Sequence, residues 1–376
     1  MASQYWKDMF IPLTKDVTEG IISTDEPSLL VDPKRKIELI RGIKTEEYDK
    51  MCDFIKAQNQ TASGNTTLLP KSELMKYLRF DARVVLMRGI KDMLVGTVLS
   101  IPLPIRCTLP CGSTDDELLL KDQTIIHGCT SFLNIHKFLR NNNLAMTLIR
   151  ELLHWAYEDS IYCGYCIGKH KIGAKSFPIT AWYRPLNFPR SIGLGFTVPD
   201  WNIPVKFAEH RVKYACKAPT GYKIIRVSKA NQERALKIYQ RLGENKKFIF
   251  WPDLTLFAHW IQEFPTYMVK RKADKKIVGI YSINTLFCRM GGEMDGTLCI
   301  PLLFNCLVDS NNVVLKCLIS TANEREHDTL YLYQTGDITK EALLNNNCIE
   351  TKDKTRFSVY NNAIDLSADN ISVPLL

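Results

Sequence analysis

No stretch of this 376-residue chain is apolar for the about 20 residues a helix needs to cross a bilayer. The longest candidate, Leu298 to Val308, is interrupted by Pro301 and Asn305 and reads as a buried strand. The opening residues, MASQYWKDMF, lack the charged-then-apolar plan of a secretory signal. Glycine is missing from position 2, where Ala2 stands, so the chain is not expected to accept an N-terminal acyl group itself. Disulfide-scaffold spacing is missing too. Twelve cysteines are scattered through apolar segments, which predicts free, mostly buried thiols and a reducing, cytoplasmic setting. No nucleic-acid-binding motif accompanies the net charge of +9, so nucleic acid is not an expected partner. That charge suits an anionic ligand or an acidic surface without choosing between them.

What is present is a globular balance, 45% apolar and 24% charged, in a length that holds one large or two medium domains. Cys163 and Cys166 form a Cys-x-x-Cys, and Cys107 and Cys111 a looser pair. No metal site is expected from them. The segment from Ser160 to Gly168 reads as a strand, residues three apart on a strand face opposite sides, and zinc ligands must converge.

The most informative stretch runs from Thr130 to Glu158. It opens as a strand, Ser131 to Ile135, followed by a basic turn with His136, Lys137 and Arg140, and then Asn141, Asn142 and Asn143. Leu144, Leu148, Leu152 and Trp155 fall at steps of three and four, which predicts a helix from about Leu144 to Glu158 with one apolar stripe. Asparagine caps helix N-termini well. A strand, a basic turn and a helix start in this order can hold an anion. They can equally be an ordinary strand–helix junction with solvated basic residues.

The same stretch resembles the acyl-CoA-binding segment of the N-myristoyltransferases. That family has Phe-Leu-x-[Val/Ile]-His-Lys-x-Leu-Arg, then a helix with Leu-Ala and Leu-Ile-[Arg/Lys]-Glu. Here these are Phe132, Leu133, Ile135, His136, Lys137, Leu139, Arg140, Leu144, Ala145, Leu148, Ile149, Arg150 and Glu151. Three asparagines, 141 to 143, replace the family's Ser-Lys-Arg. Near the start, Tyr5 and Trp6 resemble the aromatic pair that lies over CoA. Ala181 to Asn187 (AWYRPLN) resembles Tyr-Trp-His-Arg-Ser-Leu-Asn, with Tyr183 in place of the His. On its own, that motif also fits a packed turn capped by Asn187. Cys166 stands where the family has a Thr that helps hold the substrate amine. The polar loop from Gln58 to Thr67 lacks the acidic run and the Phe-Arg-Phe-x-Tyr that the family uses for its acceptor peptide.

The rest of the chain predicts strands at Ile37–Ile43, Arg83–Arg88, Leu94–Ile101 and Tyr162–Ile167, and helices at Thr45–Ala57 and Ser72–Leu78. A Pro-rich stretch, Pro199 to Pro219, marks a boundary. Beyond it, strand 221–227, helices 229–242 and 253–261, and strands 266–271 and 277–284 repeat the element order of the first half. A duplicated α/β (α+β) fold follows.

The resemblance implies the detail. It predicts two GNAT-like acyltransferase halves related by a pseudo-twofold axis around a continuous, saddle-shaped mixed sheet. Residues 1–210 would bind acyl-CoA. Residues 211–376 would bind peptide and supply the C-terminal carboxylate. The implied activity is transfer of myristoyl from myristoyl-CoA to the N-terminal glycine amine of proteins, by a monomer that does not insert in a membrane. The main-chain N–H groups of Phe132 and Leu133 would form the oxyanion hole, and the carboxylate of Leu376 would be the base. Tyr5, Trp6, Phe132, Leu133, Ile135, Arg140, Asn141, Asn142, Asn143, Ala145 and Met146 would contact acyl-CoA. Cys166, Tyr183 and Leu376 would contact the peptide. Two alternatives stay open: a relative that binds acyl-CoA or peptide without transfer, and an acyltransferase using a shorter acyl-CoA.

Overall fold

The computed structural model describes residues 38–59, 66–110, 120–140, 142, 144–168, 175–194, 216–290, 294–361, 364 and 366–375. The expected division at 210/211 lies outside them, as do Tyr5, Trp6, Asn141, Asn143 and Leu376.

In chain order the first half contains β1 (Glu38–Arg41), α1 (Tyr48–Asn59), β2 (Thr66–Leu68), α2 (Lys71–Leu78), β3 (Arg83–Arg88), β4 (Leu94–Pro110) and β5 (Leu120–Ile135). It continues with α3 (Leu144–Glu158), β6 (Cys163–Gly168), β7 (Lys175–Pro185) and α4 (Phe188–Gly193). The second half contains β8 (Tyr222–Arg226), α5 (Gln232–Leu242), β9 (Phe248–Phe250), α6 (Leu254–Glu263), β10 (Thr266–Arg271), β11 (Ile277–Met290) and β12 (Met294–Cys306). It continues with α7 (Asn311–Glu324), β13 (Thr329–Tyr333), α8 (Lys340–Asn345), β14 (Ile349–Tyr360) and β15 (Ile371–Ser372).

The strands form one mixed sheet whose main path is β1-β3-β4-β5-β6-β14-β7-β13-β12-β11-β10-β8. This order is a palindrome of the two halves. The outer antiparallel runs β1-β3-β4-β5 and β8-β10-β11-β12 correspond. Each is followed by a parallel neighbour, β6 in one half and β13 in the other. The last strands are exchanged: β14 of the second half pairs with β6, β7 of the first half pairs with β13, and the two meet antiparallel at the centre. The α/β class and duplicated plan therefore match the expectation, and the exchange makes the sheet continuous.

Sequence pattern explains the elements. In α5 the apolar residues Ala235, Leu236, Ile238, Tyr239 and Leu242 recur at helical spacing, and all five are buried. Asp253 starts α6 by accepting the Leu256 N–H at 2.7 Å, and Asn187 starts α4 by accepting the Arg190 N–H at 3.3 Å. In α3 the predicted stripe holds: Leu144, Leu148 and Leu152 pack with Val85, Met87, Val95 and Val98 of β3 and β4, and Trp155 caps the group. Burying each such side chain contributes about 1.5–3 kcal/mol.

Two short strands tie the halves together. β9 pairs antiparallel with β4 of the first half and parallel with β15, so the C-terminal segment is built against both halves. None of the helices among the described residues is long and apolar enough to cross a membrane.

Candidate functional site

The site begins with an irregularity in β5. Against β4, Ser131 stands opposite Leu99 and Asn134 opposite Thr97. Phe132 and Leu133 together face the single residue Val98, which is a β-bulge. Phe132 takes a positive φ of 51°, a left-handed conformation that costs a non-glycine residue about 1–2 kcal/mol. On the other side of β5, the parallel register with β6 runs from His127 opposite Cys163 to Thr130 opposite Cys166 and stops short of the bulge. Neither Phe132 nor Leu133 has a ladder partner in the described register on either side, as a bulge leaves its extra residue unpaired and disrupts the ladder. The Phe132 carbonyl is engaged: it accepts from Thr97 Oγ1 and from Asn134 Nδ2, both at 3.2 Å.

A cavity of about 610 Å³ opens beside the bulge, within the usual range for a small-molecule site. Phe132, Leu133 and Asn134 form one wall, with Ile149 and Leu153 of α3 beside them. Cys166 and its neighbours on β6 form another. The far side comes from the second half: Asn284 and Leu286 of β11, Leu298, Ile300 and Leu302 of β12, and Tyr331 and Tyr333 of β13. Leu375 closes one face.

The C-terminal segment is fixed there by several bonds. The Pro374 carbonyl accepts from the Tyr165 hydroxyl at 3.2 Å and from Cys129 Sγ at 3.9 Å. Ser372 Oγ donates to Asn305 Oδ1 at 2.6 Å. Leu375 is buried, and Leu376 is the residue that follows it.

None of the described lining residues is Asp, Glu, Lys, Arg or His. Burial pushes the Cys166 thiol up to about 12, so it is a neutral thiol at physiological pH. Burial likewise raises Tyr77 and Tyr165, and Tyr360 to about 12. Asn284 Nδ2 donates to the Tyr77 hydroxyl at 3.0 Å. Asn284 Oδ1, in a side chain only 5% exposed, has no hydrogen-bond partner among the described residues.

The cavity unites Phe132, Leu133 and Cys166 from the sequence prediction, and brings Leu375 beside them. Other predicted residues lie elsewhere. Ile135 and Met146 are buried, Ala145 packs against the core beneath α3, and none of the three is among the lining residues. Tyr183 sits on β7 opposite Tyr331, which does line the cavity.

Arg140 is at the surface. Its guanidinium donates to the Ile135 carbonyl at 3.3 Å and the Gln58 carbonyl at 2.7 Å. Gln58 Oε1 in turn accepts the Lys137 N–H at 2.8 Å, so the basic turn is fastened to the end of α1. Asn142 donates back to the Leu139 carbonyl at 3.2 Å.

Sequence reasoning missed Ile149, Leu153 and Asn284. The first two form a second stripe with Ala145, one position beyond the stripe that was read. Asn284 carries no local signal.

Comparison with known proteins gives a fold. No protein-family profile matches the chain, and no curated protein matches it in sequence. Among solved structures it is similar to N-myristoyltransferase from Saccharomyces cerevisiae with bound myristoyl-CoA, with a TM-score of 0.80 at 15% identity, covering 100% of this chain and 99% of that one. A second structure of the yeast enzyme, with myristoyl-CoA and inhibitors, gives 0.77 at 14% identity, covering 98% and 93%. This chain has the fold of N-myristoyltransferase.

Proposed function

We infer that the protein is a divergent N-myristoyltransferase, moving a myristoyl group from myristoyl-CoA to the N-terminal glycine amine of a peptide. One observation carries this reading. A single cavity, with no charged residue among its described lining, runs from the Phe132–Leu133 bulge to Leu375, so a thioester and an amine can meet beside the C-terminal segment. The yeast enzyme of the same fold was solved with bound myristoyl-CoA.

The chemistry follows from this chain's own groups. As the glycine nitrogen bonds to the thioester carbon, negative charge grows on the carbonyl oxygen. The N–H groups of Phe132 and Leu133 would donate to it, and preorganised main-chain donors in a site without bulk water are strong stabilisers of such charge. The C–S bond then breaks and CoA leaves as a thiolate. The ammonium proton must go elsewhere before attack, and the Leu376 carboxylate, following Leu375, is the acceptor we assign. Its ordinary pKa of about 3.3–3.7 is low for a base, and desolvation raises it. The walls from Ile149, Leu153 and Leu133 suit a hydrocarbon chain. The residues we assign to the CoA end are Tyr5, Trp6, the backbone of Asn141, Asn142 and Asn143, and the exposed Lys137. Arg140 acts there by holding the turn in shape.

The test is to incubate the protein with myristoyl-CoA and peptides beginning in glycine, and to read peptide masses. One added myristoyl group per peptide supports the reading. Binding of myristoyl-CoA with no peptide modified would replace it with that of a binding protein.

A further inference from the structure

We propose that one end of the first-half sheet is a contact surface for a membrane leaflet carrying anionic lipid. The contact is a reversible surface one and not a span. It stands apart from the transferase reading, since lipid binding is measured without any chemistry.

Two turns lie side by side at this end. One, Gly89 to Met93, joins β3 to β4, and the other, His136 to Arg140, follows β5. β4 pairs with both β3 and β5, and the His136 N–H donates to the Val95 carbonyl at 2.9 Å. Neighbouring strands are about 5 Å apart, so the two tips adjoin. In the first turn Lys91 and Asp92 both have a φ of 60°, the two left-handed positions of a type I′ hairpin. Ile90 and Met93 flank them, 68% and 52% exposed. In the second turn Phe138 is 80% exposed, and Lys137 Nζ lies 5.7 Å from its ring centre. Three large apolar side chains on adjoining tips form a patch, which single exposed residues elsewhere do not.

The duplicated fold holds an internal control. The turn between β10 and β11, which corresponds to that between β3 and β4, reads Lys-Ala-Asp-Lys-Lys from Lys272 to Lys276 and has no large apolar residue. The turn after β12 exposes Val308 alone. The patch is therefore not a demand of the architecture.

Charge selects a lipid surface as the occupant. Lys91 and Lys137 stand among the apolar side chains, while Glu47 and Asp92 are both paired with Arg88. In sequence, Lys34, Arg35 and Lys36 lead towards Glu38, which stands opposite Arg88 in the sheet. Anionic headgroups attract basic side chains, and apolar tips enter the boundary between headgroups and acyl chains. Phe138 is five residues beyond Leu133, which places it at most about 18 Å from the cavity wall.

The experiment sediments the full chain with vesicles of phosphatidylcholine alone, or of phosphatidylcholine with about a third phosphatidylserine. Binding is expected to be at least tenfold stronger to the anionic vesicles and to weaken as salt rises. Ile90→Ser with Met93→Ser should weaken it at least tenfold, as should Phe138→Ser, and Lys91→Gln about fivefold. Val308→Ser should leave it unchanged. In Phe138→Trp the emission of the new indole should shift to the blue on anionic vesicles. Melting temperatures show that each variant is folded. Equal binding to both vesicles, or anionic binding that neither the Ile90–Met93 pair nor Phe138→Ser weakens, overturns the proposal. Self-association without vesicle binding, abolished by the Ile90–Met93 pair, assigns the patch to a second copy of this chain and overturns it as well.

Discussion

Lys246 Nζ donates to Asp337 Oδ1 at 2.7 Å, and both side chains are buried. The same Nζ donates to the Asp369 carbonyl at 3.1 Å, and the other Asp337 oxygen accepts the Cys306 N–H at 2.8 Å. One ion pair thus joins the turn before β9, the end of β12, the loop before α8 and the segment leading to Leu375. Removing one partner leaves a buried charge alone, at a cost of about 3–5 kcal/mol. Asp337→Ala should lower stability by that amount in urea denaturation. Replacing both, as Lys246→Met with Asp337→Leu, should cost far less in stability. It should still reduce transfer, because Asp369 is no longer held.

Gly336 tests the same segment through the backbone. Its φ is +58°, and an added Cβ would lie 2.6 Å from the Ile371 carbonyl oxygen. Gly336→Ala should cost roughly 1–2 kcal/mol from the left-handed conformation alone, and more from the collision. Limited proteolysis should then cut near residues 366–375 faster than in the wild type.

His127 makes stability depend on pH. It is fully buried, its ring stacks edge-on against Phe248 at 5.1 Å, and burial lowers its pKa to about 4. The unfolded chain takes up this proton near pH 6.5, whereas the folded chain waits until about pH 4. Above pH 6.5 both states are neutral and nothing is lost. As pH falls through the window between, the unfolded state binds more protons and stability falls, by about 3 kcal/mol in all. Urea midpoints at pH 7.5 and pH 5 should differ in the wild type and differ less in His127→Gln.

Acyl length should be read by the wall from α3. Each buried methylene contributes about 0.8 kcal/mol, so lauroyl-CoA should bind about fifteenfold more weakly than myristoyl-CoA. Leu153→Trp fills part of the cavity and should narrow or reverse that ratio in competition binding. Equal affinity for acetyl-CoA and myristoyl-CoA would remove the long-chain assignment.

The bulge predicts an unusual tolerance. Phe132→Gly removes a ring 5.6 Å from Tyr77 but suits a φ of 51°, so the N–H positions persist. Transfer should fall by less than tenfold. Phe132→Pro fixes φ near −65° and deletes the N–H, so transfer should disappear in the mass assay.

Much of this was legible in the sequence, where the signal is periodic. Helix α3 follows its leucine stripe from Leu144 to Glu158, and α5 buries the five residues its pattern names. β9 and β15 were not legible. Three and two residues are too few for a period of two to register, and their pairing is set by a partner far away in sequence. The bulge was not foreseen: resemblance named Phe132 and Leu133 as main-chain donors, but Phe-Leu in an apolar strand has no local mark of a positive φ. The cavity wall at Ile149 and Leu153 was missed because an amphipathic helix here serves two apolar surfaces, and a single stripe was read. Asn284 is a buried polar residue of β11 whose Nδ2 donates to the Tyr77 hydroxyl, a partner too far away in sequence for any local pattern to announce.

The parallel pairing of β15 with β9 also orders events during synthesis. A ribosome adds about 5–20 residues per second, and Leu375 follows every other wall of the cavity in the chain. A nascent chain therefore holds Ile149, Leu286 and Leu302 in a half-made pocket until this strap threads between the halves. Under the proposed transferase reading an unfinished copy lacks one wall of the site, and apolar walls exposed in that interval are prone to aggregate.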